Sequence, residues 1–248
     1  MKTSYFAKYK KDDGISIAKF VPFKIDCYDV LFPNCDLVKK YKKDKDERKF
    51  FKEYYSYLKT LNQNKVYNDL KDKTLLCYEK SEDFCHRSIV SYWLERELSV
   101  CVPEYDYDIL EFQNEYRYLS NFWPCNVDMF GAIWSSLENI YQAGKCLNKS
   151  DRRMFIDAHP GEAKKLGRKV KIRLDFDDVK DDLMYKIVKA KFTQNKSLGE
   201  KLISTGNRKL YEGNYWGDQY WGINLKTMDG ANKLGKILMR VRKELKNN

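Results

Sequence analysis

The stretch "KTLLCYEKSEDFCHRSIVSYWLERELS", residues 73–99, holds in order a short apolar run, a polar loop and a segment with apolar residues at helical spacing. The run at 73–80 suits a buried strand, because a strand covered on both faces shows no alternation. From Cys85 to Ser99, the side chains of Ile89, Val90, Trp93 and Leu94 fall on one helical face. Strand, loop and helix in that order form the unit of an α/β sheet, whose ligands gather at the carboxyl ends of strands. Cys77, Glu79 and the run Cys85-His86-Arg87 occupy that place. There Arg87 and the free N–H groups of the helix start would make an anion site, and Cys85 would have a lowered pKa. A buried thiol beside a helix-terminal charge pair is the plainer reading of the same residues.

On the N-terminal side, "YFAKYKKDDGISIAKF" (5–20) reads as a strand, a turn at Asp12-Asp13-Gly14 and a second, alternating strand, which predicts a hairpin or strand pair. A solvated charge run, "KKYKKDKDERK", leads into a helix over 50–61 marked by Phe51, Tyr54, Tyr55 and Leu58. On the C-terminal side, "VCVPEYDYD" (100–108) combines a proline with a polar run and is the natural boundary. Two domains are therefore expected, an α/β domain over 1–104 and a second over 105–248.

The totals agree with two folded domains. The chain has 248 residues, of which 43% are hydrophobic, 33% charged and 15% aromatic, values that fit neither disorder nor a collagen-like fibre. Its formal net charge is +11, spread over both halves, a balance that attracts polyanions but that proteins without a nucleic-acid partner share, and no long Arg/Lys tract marks a dedicated nucleic-acid arm. Lysine greatly outnumbers arginine, which suits loose phosphate attraction more than bidentate reading of bases. Seven cysteines without a CxxC pair, and an N-terminus without an apolar signal core, predict reduced thiols and a cytoplasmic location. No stretch reaches the ~18 apolar residues of a membrane span. With only His86 and His159, far apart in sequence, no zinc site and no cofactor are expected.

The second half begins with short strands and turns around Pro124 and Gly131 and then becomes mostly helical. Helical spacing covers 136–147, 151–158, 160–167, 177–193, 197–205 and 229–245, with Pro160 placed for a first helical turn. Between the last two lies "GNYWGDQYWGINLKTMDGANK" (213–233), a glycine- and aromatic-rich loop of the kind that carries function. This half is expected to be a mainly helical α+β domain.

In "SSLENIYQAGKC" (135–146), helical spacing sets Glu138, Tyr141, Gln142 and Lys145 on one stripe. Spacing alone fits a solvated face as well as an active site. The blocks "LSNFWP" and "YWGDQYWG" add amide, carboxylate and ring groups to the same half. Together they provide the inventory of a glycosidic-bond enzyme, in which a carboxylate stabilises an oxocarbenium-like sugar or a nucleophile traps it. Glu138 would deprotonate water or protonate the leaving nitrogen. Lys145 would attack the anomeric carbon of an opened ribose if neutral, or hold a phosphate if charged. Trp216 and Trp221 would stack on a base, or simply pack their loop.

The blocks "YLSNFWPCNV", "SSLENIYQAGKC", "AHPGEAKKLGRKVKIRLDFDDVKDDLMYKIVKAKFTQN", "LISTGNRKLYEGNYWGDQYWGIN" and "GANKLGKILMRVRKEL" resemble, in order and spacing, the NADAR or YbiA-like family over about 107–247. The resemblance implies an N-glycosidase acting on ribosyl–nitrogen bonds. Some members act on phosphoribosylamino-pyrimidine intermediates of riboflavin synthesis, and others remove ADP-ribose from modified guanine bases. It implies Glu138 and Lys145 as the catalytic pair, with Asn121, Phe122, Trp134, Tyr141, Asp218, Trp221 and Gly222 shaping the pocket and Arg168 contacting phosphate. It also implies ADP-ribosylated nucleic acid, most readily DNA, or an ADP-ribose-like nucleotide as partner. A small phosphoribosylamino-pyrimidine is the alternative substrate, and a module that senses ADP-ribose without cleaving it is the alternative of another class. Tyr118 ahead of "LSNF" departs from the family pattern and would reshape the pocket mouth. The first half resembles the domain-of-unknown-function family 488, in a strand ending near Cys77 and Glu79 and the Cys85-His86-Arg87 helix start.

Overall fold

The computed structural model describes residues 1–247; Asn248, the last residue of the expected second domain, lies outside them. The chain divides into two compact units: Met1–Asp108 with Ile223–Ala231, and Ile109–Gly222 with Asn232–Asn248.

In the first unit, β1 (Lys2–Tyr5) and β2 (Gly14–Ser16) both run parallel to β3 (Thr74–Cys77), which lies between them. All four β3 residues are buried, which explains the unbroken apolar run. The expected hairpin over 5–20 is thus corrected. The two N-terminal strands do not pair with each other, because β3 takes the inner edge of each.

Four helices complete the unit: α1 (Cys35–Asp44), α2 (Glu47–Leu58), α3 (Gln63–Leu70) and α4 (His86–Leu98). The first three begin at Asn34, Asp46 and Asn62, whose side chains accept N–H bonds from Asp36, Lys49 and Lys65. The charge run therefore forms the end of α1, the turn at Lys45 and Asp46, and the start of α2. Lys45, with φ 55°, ends α1 in the left-handed region and lets α2 turn back against it. Helix α4 packs on β1 and β3, and α2 and α3 pack on α4. Trp93, Tyr54, Leu58 and Leu75 fill this core.

The second unit is built around α7 (Phe176–Gln194). Against it pack α5 (Leu137–Ala143), α8 (Lys196–Ser204), α9 (Lys233–Lys246) and β4 (Val127–Met129), which forms a hairpin with β5 (Ala132–Trp134). Helix α6 (Pro160–Leu166) starts at Pro160 as expected and packs on α5. The segment expected to be helical over 151–158 is a short 3-10 stretch at Ser150–Phe155. No helix among the described residues is long and apolar enough to cross a membrane.

Asn139, fully buried in α5, donates to the carbonyls of Phe155 and Ala158 and lies on the Ser136 hydroxyl that caps the helix. It ties α5 to the chain that leads into α6. Replacing Asn139 with Leu would strand two carbonyls and is expected to cost about 2–4 kcal/mol, read as a lowered urea midpoint.

Candidate active site

Helix α5 ends at Ala143 with Gly144 as its cap, so Lys145 lies two residues past the helix rather than on its stripe. The tight turn that follows, in which Lys145 N–H donates to the Gln142 carbonyl, keeps the amine beside the helix. Its Nζ lies 5.6 Å from the centroid of the Tyr141 ring and 5.9 Å from that of Phe176. Burial holds Lys145 below its ordinary range; nearby Glu138 opposes the shift, while Lys164 and Arg168 add to it.

Glu138 is 6% exposed. Its carboxylate accepts from Gln142 Nε2 at 2.7 Å, and its backbone N–H donates to the Asn121 carbonyl at 3.1 Å. Burial pushes the Glu138 carboxyl up, against the Gln142 hydrogen bond and the charges of Lys164 and Lys145, with Asp218 adding to the rise. The Asn121 loop is held from below by Lys191 of α7, which is fully buried and donates to the Ser120 carbonyl at 2.9 Å. Burial lowers this lysine to about 8.

The glycine-rich loop provides the facing wall. Asp218 Oδ1 accepts the N–H groups of Tyr220 and Trp221, while Asn214 Oδ1 accepts those of Gly217 and Asp218. These bonds fold the loop so that Trp221 meets Tyr141 edge to face at 5.6 Å. Gly222 comes so close to the Glu212 carbonyl that a Cβ would overlap it. Gly167 lies as tightly against Gln142 and brings Arg168 to the rim.

Glu138, Lys145, Tyr141, Asn121, Asp218, Trp221, Gly222 and Arg168 thus share one neighbourhood. Phe122 borders it, its ring 5.6 Å from Lys164 Nζ. Trp134 does not join them; it is buried in the core, its indole N–H donating to the Met129 carbonyl. Tyr118 is buried too and donates to the Lys201 carbonyl, so it forms no part of a pocket mouth. Trp216 is 67% exposed, beside the exposed Tyr215.

Sequence reading missed Glu212 and Lys164. Burial pushes the Glu212 carboxyl up to about 7, with Asp218 and Glu138 adding and Lys164 and Lys191 opposing. Glu212 sits in an aperiodic loop, and Lys164 is one of two neighbouring lysines on α6 that helical spacing alone does not tell apart. Asn121 Oδ1, Gln142 Oε1 and Glu212 Oε2 are buried acceptors without a hydrogen-bond partner. Such groups are costly unless something else satisfies them. Of the three residues, Gln142 donates to the Glu138 carboxylate and Asn121 accepts the Glu138 N–H through its carbonyl, and Lys164 and Arg168 add positive charge beside Lys145.

A raised carboxyl in the folded state lowers stability where the unfolded chain has already lost its proton. For Glu212 the loss begins near the unfolded value of about 4.3 and is complete above about 7. Glu212→Gln is therefore expected to be more stable than the parent at pH 8, by about 4 kcal/mol, and equal to it at pH 4. Urea unfolding at the two pH values measures the difference.

In the first unit, Cys77, Glu79, Cys85 and His86 converge where β3 gives way to α4, at the strand ends singled out by the sequence. Burial raises the Cys85 thiol, but Cys77, His86 and Arg87 outweigh it and hold the thiol below its ordinary value. Arg87 is buried and already engaged, donating to the carbonyls of Glu79 and Lys80 and pairing with Glu104 at 3.1 Å. With its guanidinium so engaged, the group presents thiols, a carboxylate and an imidazole rather than a free cation.

Comparison with known proteins follows the same division. The NADAR domain model matches residues 110–246, and the model described as the active DUF488-N3 subclade matches 17–98. An N-glycosidase of Nostoc punctiforme is 36% identical over 138 residues, covering 53% of this chain and 87% of that protein. N-glycosidase YbiA of Escherichia coli is 34% identical over 141 residues, covering 53% and 83%. A riboflavin biosynthesis protein of Vibrio vulnificus is 33% identical over 159 residues, covering 63% of this chain but only 43% of that longer protein. The NMR structure of E. coli YbiA superimposes with a TM-score of 0.52 at 29% identity, covering 61% of this chain and 90% of that one. With more than half its length matched by the NADAR model, and Glu138, Lys145 and the folded glycine-rich loop inside the match, the chain belongs to the NADAR domain family.

Proposed function

We propose that the second unit is an N-glycosidase that hydrolyses the ribosyl–nitrogen bond joining ADP-ribose to a guanine base, with DNA as the carrier. The observation that carries this reading is the buried Glu138 carboxyl near the Lys145 amine, which lies beside the packed Tyr141 and Trp221 rings, with Lys164 and Arg168 adding positive charge for phosphate. The relatives named N-glycosidases support the reaction class. The net charge of +11 suits a polyanionic carrier, and the exposed rings of Tyr215 and Trp216 suit an unpaired base.

In the proposed reaction Glu138, whose carboxyl burial pushes up, gives its proton in the acid form to the departing base nitrogen. Lys145, held below its ordinary value by burial and its cationic neighbours, attacks the anomeric carbon in its neutral form as the carbon–nitrogen bond to the base breaks. The ribose ring oxygen leaves with a proton from the amine, giving an iminium. Water, deprotonated by the Glu138 carboxylate, then adds to the iminium and Lys145 departs, restoring both side chains.

A second reading keeps the chemistry on a free phosphoribosylamino-pyrimidine. It is favoured by the riboflavin biosynthesis proteins of Vibrio vulnificus and Zea mays among the relatives. Side-by-side turnover decides between the readings. Purified protein should release ADP-ribose from modified DNA and restore guanine, and Glu138→Ala should not. Faster turnover of the pyrimidine would transfer the assignment to the second reading, and tight binding of ADP-ribose with no cleavage would make the domain a sensor.

A further inference from the structure

We propose that the first unit binds a zinc ion through Cys77, Cys85 and His86, with Glu79 closing the fourth position from the solvent side. The three ligand atoms are buried and lie within 4.8 Å of one another, the one such group among the described residues. His86 Nδ1 is 3.6 Å from Cys77 Sγ and 3.9 Å from Cys85 Sγ. Glu79 Oε2 is 3.0 Å from Cys77 Sγ and 3.1 Å from Cys85 Sγ. Around a tetrahedral zinc with ordinary bond lengths, neighbouring ligand atoms are about 3.3–3.8 Å apart, so small side-chain adjustments would accommodate the ion.

The tautomer of His86 gives an independent reason. Its Nε2 lies 2.8 Å from the Ile17 carbonyl, which can only accept, so Nε2 carries the proton. In the neutral ring Nδ1 is then a bare lone pair aimed at two sulfurs. A ring nitrogen fixed from behind by a backbone carbonyl is the usual arrangement of a zinc-bound histidine. Without a metal, two weak S–H donors must serve both that nitrogen and the Glu79 carboxylate. A divalent cation replacing the two thiol protons satisfies all four groups.

The backbone also prepares the site. Cys77 ends the central strand, Cys85 stands at the cap of α4 and His86 is its first residue. Arg87 holds the carbonyls of Glu79 and Lys80, so the loop bearing the fourth donor is fixed. Two sulfurs and one imidazole favour zinc over magnesium or calcium, which prefer oxygen. One histidine with two cysteines and a carboxylate makes up such a ligand set, so the distance between His86 and His159 in the sequence does not bear on it.

The full-length chain, purified without chelator, should contain one zinc per molecule by elemental analysis, and the double variant Cys77→Ser, Cys85→Ser less than about a tenth of that. Glu79→Ala, which leaves the three buried ligands, should retain zinc but release it faster to a colorimetric chelator. Cobalt added to the apoprotein should give thiolate charge-transfer bands and the visible bands of a tetrahedral site, a signature that mere folding does not produce. A folded wild-type chain that takes up neither metal, or one whose Cys77 and Cys85 are joined as a disulfide after purification in air, would overturn the proposal.

Discussion

Glu138→Gln is expected to reduce turnover of ADP-ribosylated DNA by roughly 10²–10⁴-fold while leaving the fold intact. The substitution preserves size and the capacity to bond Gln142, but removes the ionisable proton. The effect should fall on kcat more than on KM, because the proton is delivered as the bond breaks. The parent's activity should fall as pH rises through the folded-state value, since burial pushes the Glu138 carboxyl up and the acid form is the one that donates. Steady-state rates across the pH range, for parent and variant, measure both effects. A variant with parental kcat would remove Glu138 from the chemistry.

Lys145→Arg should be nearly as damaging, with a loss of roughly three orders of magnitude, or about 4 kcal/mol of barrier. Arginine keeps the positive charge that would hold a phosphate, yet cannot become a neutral amine. The two roles of Lys145 are thereby separated. If the lysine only bound phosphate, arginine would rescue much of the activity lost in Lys145→Ala. If it attacks carbon, both variants should be inert, and borohydride added during turnover should fix the sugar to the parent protein alone. Peptide mass mapping of the Lys145 segment identifies the adduct. An active Lys145→Arg protein with no trapped species would exclude the covalent route.

The elements that sequence disclosed best were those in which local chemistry and packing agree. Thr74–Cys77 read as a buried strand because a central parallel strand has no exposed face, and Pro160 marked the start of its helix. Partner choice was less legible. The strands near residues 5 and 16 looked like a hairpin because a turn separates them, whereas pairing with a strand some sixty residues away leaves no local trace. The candidate site was readable where it lies on α5 and less so beyond. Glu138 and Tyr141 follow helical spacing, but Lys145 reaches the same neighbourhood through a turn after Gly144. Trp134 looked like a pocket ring and proved to be hairpin core, since an indole gives the same sequence signal in either place. Glu212 was invisible because it sits in an aperiodic loop, and its chemistry comes from burial beside Asp218 and Glu138.

The assignment of Ile223–Ala231 to the first unit bears on any attempt to divide the protein. Within that unit, the Cys101 N–H donates to the Met228 carbonyl and the Gly230 N–H to the Ser99 carbonyl, so the segment binds the end of the chain that precedes Asp108. A single cut between residues 108 and 109 would therefore yield two incomplete pieces. The N-terminal fragment would lose the backbone partners of Ser99 and Cys101, and the C-terminal one would carry their counterparts as an unanchored bight. A recombination event that moves either unit alone would therefore have to rebuild that loop.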